Sequence, residues 1–280
     1  MKVAVIGADG FIGTNLVKYL GKIHDLEPLP IVFRNQPDSL FFDEFLSQSK
    51  KVDVIIFAGG NSNHYVTNET IYKVIEMDSK YILQTIEHVE NKLSILISSA
   101  AVYYGYKGVV DENTCAKPSV NYGISKRTAE LLFEKSIRDK KSKGIVLRLT
   151  HAYGLGERST RLFSKIVNCL KQGTELIVYG KGESYINPVP VEFLAHVIAR
   201  LIQDSPTSEI DYYNVGSYEP VKVRDIVEEV HKRFGLKYLF EGEETQLVEF
   251  ITSTEKLRQR GIFLENAIEV YLNHVQKSLL

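Results

Sequence analysis

The stretch NYGISK, residues 121–126, sets a tyrosine and a lysine four positions apart. On a helix that spacing stacks the two side chains on one face, a turn apart. The chemistry this allows is proton transfer. A phenol with a pKa of about 10 is a poor base at neutral pH. An ammonium one turn away favours the phenolate, which can take a proton from a hydroxyl. A surface helix with an aromatic residue and a solvated lysine shows the same spacing, so the rest of the chain must decide.

A second run carries binding chemistry. Gly7-Ala8-Asp9-Gly10-Phe11-Ile12-Gly13 follows the apolar segment VAVIG, and Ile12, Leu16, Tyr19/Leu20 and Ile23 then recur at helical spacing. The glycines therefore lie between a strand and a helix, the setting in which such a run binds a dinucleotide. Gly7 permits the tight turn, Gly10 lets a pyrophosphate approach the backbone, and Gly13 lets helix pack on strand. Free N–H groups at the helix start favour the phosphates. The competing reading is a glycine-rich turn with no ligand.

These runs need elements to position them. Segments 31–35 (IVFRN), 52–60 (VDVIIFAGG), 93–100 (LSILISSA) and 144–150 (GIVLRLT) read as further strands. Helical patterns lie around Leu40–Leu46, over 67–90 and from 121 onward, with a loop from the end of LSILISSA to Pro118. Such alternation predicts a doubly wound parallel sheet, Rossmann-like, with ligands at the carboxyl ends of the strands. Gly7–Gly13, Ala58, Gly59 and Gly60, Ser98–Ala101 and Thr150–Tyr153 all fall there. After residue 155 the pattern changes, with helices near 160–172, 191–203, 223–234 and 265–280 and short strands between them. We divide the chain into a dinucleotide-binding domain over 1–155, with elements near 190–215 returning to it, and a smaller interleaved C-terminal α/β lobe, mainly substrate-binding, over 156–280.

Composition excludes several classes. The 280 residues are 44% hydrophobic and 25% charged, with a formal net charge of −1, so no positive field advertises nucleic acid or anionic membrane. No apolar run approaches the roughly 18–20 residues that span a bilayer, and MKVAVIGADG does not read as a signal peptide. Two cysteines, Cys115 and Cys169, make no disulfide framework and fit a reducing cytoplasm. The histidines show no metal-site spacing.

Taken together, GADGFIG, SSAAVY at a strand end, YGISKRTAE some twenty residues on, RLTHAYGLGERSTRL and YNVGSYEPVKVRDIVEEV resemble an extended short-chain dehydrogenase/reductase. More narrowly the chain is similar to the nucleotide-sugar epimerase/dehydratase group. The resemblance implies a catalytic triad of Ser99, Tyr122 and Lys126. Tyr122 would act as the base on a sugar hydroxyl, Lys126 would favour the phenolate and hold the nicotinamide ribose, and Ser99 would bond the reacting oxygen. It implies NAD or NADP as cofactor, a nucleotide-sugar as substrate and a homodimer.

Departures from the family pattern narrow the activity. Dehydratases of the group carry an Asp-Glu pair where this chain has Ala100 and Ala101, and neither alanine can move a proton. Relatives that make GDP-fucose carry a cysteine at the position of Ala100. What remains is C4 epimerisation through a keto intermediate, or NADPH-dependent reduction of a keto-sugar. Ile186-Asn187-Pro188 stands where many relatives carry an arginine that grips the nucleotide diphosphate. Arg158 and Arg161 are candidates to compensate or are surface arginines, and His151 either contacts ligand or packs. No carboxylate lies about 20 residues past the glycines to hold a ribose diol. Arg34 falls there and either meets a 2′-phosphate or is an ordinary surface residue, with Asp25 or Glu27 as acidic alternatives. A rival of another class is a dinucleotide-sensing protein that kept the fold and lost catalysis.

Overall fold

The computed structural model describes residues 1–34, 39–48, 51–204, 206, 208–243 and 247–280. Among them, seven strands form one sheet: β1 (Lys2–Ile6), β2 (Glu27–Val32), β3 (Leu40–Phe41), β4 (Val54–Phe57), β5 (Leu93–Ser99), β6 (Lys143–Leu149) and β7 (Ile210–Val215). Their order is β7-β6-β5-β4-β1-β2-β3. β1 pairs in parallel with both β2 and β4, β4 with β5, and β5 with β6. The chain thus winds outward from β1 in one direction and then returns to wind in the other. The switch point lies between β1 and β4, where open α/β sheets bind their ligands. Val3, Ala4, Ile55 and Ile56 are fully buried, as strands covered on both faces require.

Four helices position what the sheet carries: α1 (Phe11–Leu20), α2 (Phe42–Ser47), α3 (Ile71–His88) and α4 (Asn121–Lys140). The apolar core under the sheet joins Ile6, Ile31 and Ile55 to Phe45, Ile82, Ile86 and Phe133 of these helices. Beside it lies a buried ionic cluster. The Arg148 guanidinium donates from Nε and Nη2 to the Glu130 carboxylate at 3.1 and 3.0 Å, and the Ser98 hydroxyl donates to the same group at 2.7 Å. Buried charges persist only when paired in this way. The cluster fixes α4 against β5 and β6, and so sets the register of Tyr122 relative to Ser99.

Two expectations from the sequence need correction. The strand read over 31–35 lies earlier, at Glu27–Val32, despite Pro28 and Pro30; Asn35 lies outside the described residues. Glu27 N–H donates to Met1, and the Ile31 carbonyl accepts from Gly7 and Ala8, so these odd residues turn their amides toward β1. The prolines face the other side, where β3 pairs only with Ile31 and Val32. No ladder bond is lost there, which is how a strand tolerates proline. The loop before Pro118 also contains a 3-10 turn, Ala100–Tyr103, and a strand, Gly108–Val110, paired in parallel with Phe250–Thr252. The pairing is tertiary, so local pattern could not signal it.

The chain forms two compact units. One comprises Met1–Tyr104, Cys115–Leu149 and Glu192–Tyr213, and the other Gly105–Thr114, Thr150–Val191 and Asn214–Leu280. The second unit packs the helices Leu162–Gln172, Val223–Phe234 and Ala267–Leu279 around Tyr153, Phe163, Ile166, Ile186 and Tyr271. Its strand His151–Tyr153 pairs in parallel with Pro188–Pro190. Among the described residues, no helix is long and apolar enough to cross a membrane.

Candidate active site

In the first unit, the turn after β1 is shaped by backbone contact. Gly7 has φ +85°, and a side chain there would place its Cβ 2.5 Å from the Gly59 backbone. The β1 and β4 ends therefore approach so closely that only glycine fits at position 7, while a Cβ at Gly59 would meet the Phe33 ring at 2.9 Å. Gly10 caps α1, its N–H donating to Gly7. The first N–H groups of a helix, here from Phe11, Ile12 and Gly13, have no intrahelical acceptor. A Cβ at Gly10 would meet only the Gly7 carbonyl, at 3.3 Å. The outer side of the turn is thus open, as a pyrophosphate lying on the helix start requires. The Asp9 side chain, 8% exposed, lies beside it, and the Arg34 guanidinium reaches to 3.7 Å from its carboxylate while remaining 88% exposed.

Asp25 and Glu27 cannot play the acidic part considered for them. Glu27 opens β2 opposite Lys2, and Asp25 precedes it, with its carbonyl accepting from the N-terminal ammonium. Both lie at the amino end of the strand, a strand length from the glycine turn.

The 3-10 turn after β5 sets the second half of the corner. The Ser99 hydroxyl accepts a hydrogen bond from Ala101 N–H at 3.1 Å, which leaves its own proton available to donate. The start of α4 is pressed onto this turn, since a Cβ at Gly123 would fall 2.3 Å from the Ala101 carbonyl oxygen. Gly123 thereby brings Tyr122 to the strand end that carries Ser99. Tyr122 is buried, and Lys126 Nζ stands 5.5 Å from its ring centroid. The His64 ring stacks on the other part of the phenol, with centroids 4.2 Å apart and planes at 25°. Tyr104 lies close by, its pKa raised by burial and by the neighbouring Tyr122.

In the second unit, Ile186 is a core residue, 4% exposed among Tyr153, Phe163 and Tyr271. Asn187 next to it donates from its side-chain amide to the Ser217 carbonyl. The segment that replaces the family's arginine is therefore built for packing. His151 and Arg161 are brought together, whereas Arg158 is exposed and its carbonyl accepts from Arg161 N–H. Burial, with the Arg161 cation adding, lowers the His151 pKa to about 4. Its Nδ1 is buried and makes no hydrogen bond, so the ring is neutral at pH 7.

Glu157 belongs to the same group of residues. Burial pushes its pKa up to about 7, against a hydrogen bond from the Ser164 hydroxyl at 2.9 Å and the attraction of Arg161. The unfolded chain releases this proton near the ordinary 4.5, so folding stability falls as pH rises between those values. Glu157→Gln is expected to be more stable than wild type by about 2 kcal/mol at about pH 8 and nearly equal to it at about pH 4. Thermal unfolding at the two pH values measures this, and equal stability of the two proteins at the higher pH would contradict it.

Asp78 and Glu157 escaped the sequence reading. Asp78 had a signal: it occupies the apolar face of α3, in the helical series Ile75, Asp78, Ile82, Ile86. A carboxylate in such a series needs a buried partner. Glu157 had none, because its burial comes from tertiary packing.

The glycine turn at the switch point and the tyrosine and lysine on α4 define the class: a doubly wound dinucleotide-binding fold of the extended short-chain dehydrogenase/reductase type. Residues 3–216 match the model of the NAD dependent epimerase/dehydratase family, and the chain belongs to that family. The family so described is one of NAD-dependent enzymes. The chain is 26% identical over 211 residues to a GDP-6-deoxy-D-talose 4-dehydrogenase of Aggregatibacter actinomycetemcomitans, covering 72% of this chain and 70% of that protein. It is 20% identical over 269 residues to a dTDP-D-glucose 4,6-dehydratase of Dictyostelium discoideum, covering 82% of this chain and 61% of the relative, less than two thirds of its length. In fold it resembles the UDP-glucuronic acid 4-epimerase of Bacillus cereus solved with UDP-glucuronic acid and NAD, with a TM-score of 0.85 at 17% identity over 100% of this chain and 99% of that one.

Proposed function

We propose that this enzyme inverts C4 of a nucleotide-sugar through a keto intermediate, using Ser99, Tyr122 and Lys126. The observation that carries the reading is the buried Tyr122 with Lys126 a turn away, on a helix pressed against the strand end that bears Ser99. When bound, the nicotinamide supplies the acceptor and donor of hydride. Tyr122 as phenolate takes the hydroxyl proton of the reacting carbon and returns it when the carbonyl is reduced. Lys126 favours the phenolate and reaches the nicotinamide ribose. Ser99, whose hydroxyl proton is not used by its bond with Ala101, donates to the reacting oxygen. Gly10 leaves the pyrophosphate room at the N–H groups of Phe11 and Ile12, while Gly7 and Gly13 allow the close turn and the packing of helix on strand behind it.

Elimination of water is disfavoured on this reading, because Ala100 and Ala101 stand buried where an acid and a base would be needed. The first unit serves the dinucleotide and the second the sugar nucleotide. There Arg161 and His151, with Arg158 at the surface, take over the phosphate contacts that Ile186 cannot make. The exposed Tyr72, Leu83 and Leu131 on α3 and α4 support a homodimer through these helices, working in the cytoplasm.

A second reading is NADP-dependent reduction of a keto-sugar nucleotide. It is favoured by Arg34, which stands exposed beside Asp9 at the carboxyl end of β2, where a 2′-phosphate would lie. Denaturing freshly purified protein and identifying the released dinucleotide separates the two. Stoichiometric NAD is expected for an epimerase that recycles its cofactor, to be followed by screening UDP- and GDP-sugars for inversion. Protein that emerges empty and then oxidises NADPH with a keto-sugar would replace epimerisation by reduction.

A further inference from the structure

The Asp78 side chain is 2% exposed, and its Oδ1 accepts hydrogen bonds from the Lys126 ammonium at 3.1 Å and from Asn61 N–H at 2.6 Å. Its Oδ2 is buried and makes no hydrogen bond. Gly60 makes room for the pair: with φ +128°, it would otherwise put a Cβ 2.6 Å from Asp78 Oδ1 and 3.4 Å from Lys126 Nζ. A buried carboxylate is unfavourable unless a charge compensates it. Here the compensating charge is the ammonium that faces Tyr122.

We propose that Asp78 is a positioning residue for Lys126 whose carboxylate offsets part of the ammonium's field at the phenol. Through Asn61 it also tethers the loop that lays His64 on the Tyr122 ring. The proposal rests on the reading of Tyr122 and Lys126 as the catalytic couple. Among the described residues, the titratable groups set against Tyr122 include Lys126 from its own helix, His64 from the loop after β4 and Tyr104 from the turn after β5, with Asp78 from α3 on the far side of the Lys126 ion pair. In the alkaline range Tyr104 keeps its proton longer than an ordinary tyrosine. Asp78 is then the anion of this set. With the carboxylate present, Lys126 and Asp78 act on the phenol nearly as a dipole; without it, the ammonium acts with its full charge.

The test is an ultraviolet phenolate titration of the full chain loaded with NAD, taken as the difference between each protein and its Tyr122→Phe counterpart. This isolates one phenol and needs no substrate. Asp78→Asn keeps the shape and an acceptor for Asn61 while removing the charge, and is expected to move the Tyr122 transition about one pH unit lower. Asp78→Ser, smaller and also neutral, is expected to move it the same way, so misfolding of either variant leaves the other to read. A Tyr122 transition that stays in place or rises in the charge-removing variants would overturn the role of Asp78 alone. A titration in the wild-type background that Tyr122→Phe leaves unchanged would overturn the catalytic couple, and this proposal with it.

Discussion

Tyr122→Phe is expected to lower turnover about a thousandfold, the scale of a lost general base, while leaving dinucleotide affinity nearly unchanged. The substitution removes a single oxygen. The ring stays in its place under Lys126 and against His64, and the buried packing of α4 on the 3-10 turn depends on Gly123 rather than on the phenol hydroxyl. The loss should therefore appear in kcat and kcat/KM alike, as for an interaction made only in the transition state. The measurement is steady-state turnover on the sugar nucleotide that the screen identifies, together with titration of NAD binding. A variant that keeps near-wild-type turnover would remove Tyr122 from the mechanism.

Gly13→Ala is expected to destabilise the protein by about 3 kcal/mol or more, the upper range for overpacking. Its Cβ would lie 2.1 Å from the Gly7 carbonyl oxygen and 2.7 Å from Ala8 Cα. Both are backbone atoms held by β1, so no side chain can turn aside to relieve the contact. Gly10→Val makes the informative contrast. Its Cβ meets only the Gly7 carbonyl at 3.3 Å, so the fold should survive while the bulkier side chain occupies the space a pyrophosphate needs. Denaturant unfolding and dinucleotide titration of both variants separate the two effects. Unchanged dinucleotide affinity in a folded Gly10→Val protein would contradict the binding role of the turn, and unchanged stability in Gly13→Ala would contradict the close packing of helix on strand.

The two predictions differ in how legible their residues were. The spacing of Tyr122 and Lys126 drew attention and the accompanying motifs singled the pair out, while the strand–glycine–helix order makes the first turn readable without coordinates, because these signals are local. The misplacement of β2 has the opposite origin. Pro28 and Pro30 argue against a strand unless one knows that β3 pairs with only the last two residues, and that is a fact about a neighbour. Ile186 was readable as a departure, since an aliphatic side chain cannot grip a phosphate, but its place in the second core is a tertiary fact.

By itself the sequence determined the class of fold and the strand–glycine–helix turn, and it offered Tyr122 and Lys126 as candidates, since helix and strand periodicity and a four-residue spacing are properties of residues near one another in the chain. Only the tertiary structure decided what surrounds that pair, Asp78 from α3 on Lys126 and His64 from a loop on Tyr122, and, separately in the second unit, that burial pushes the Glu157 pKa up to about 7. Charge and solvation at a site are set by whatever the fold carries there from distant parts of the chain, and no spacing along the chain encodes that approach.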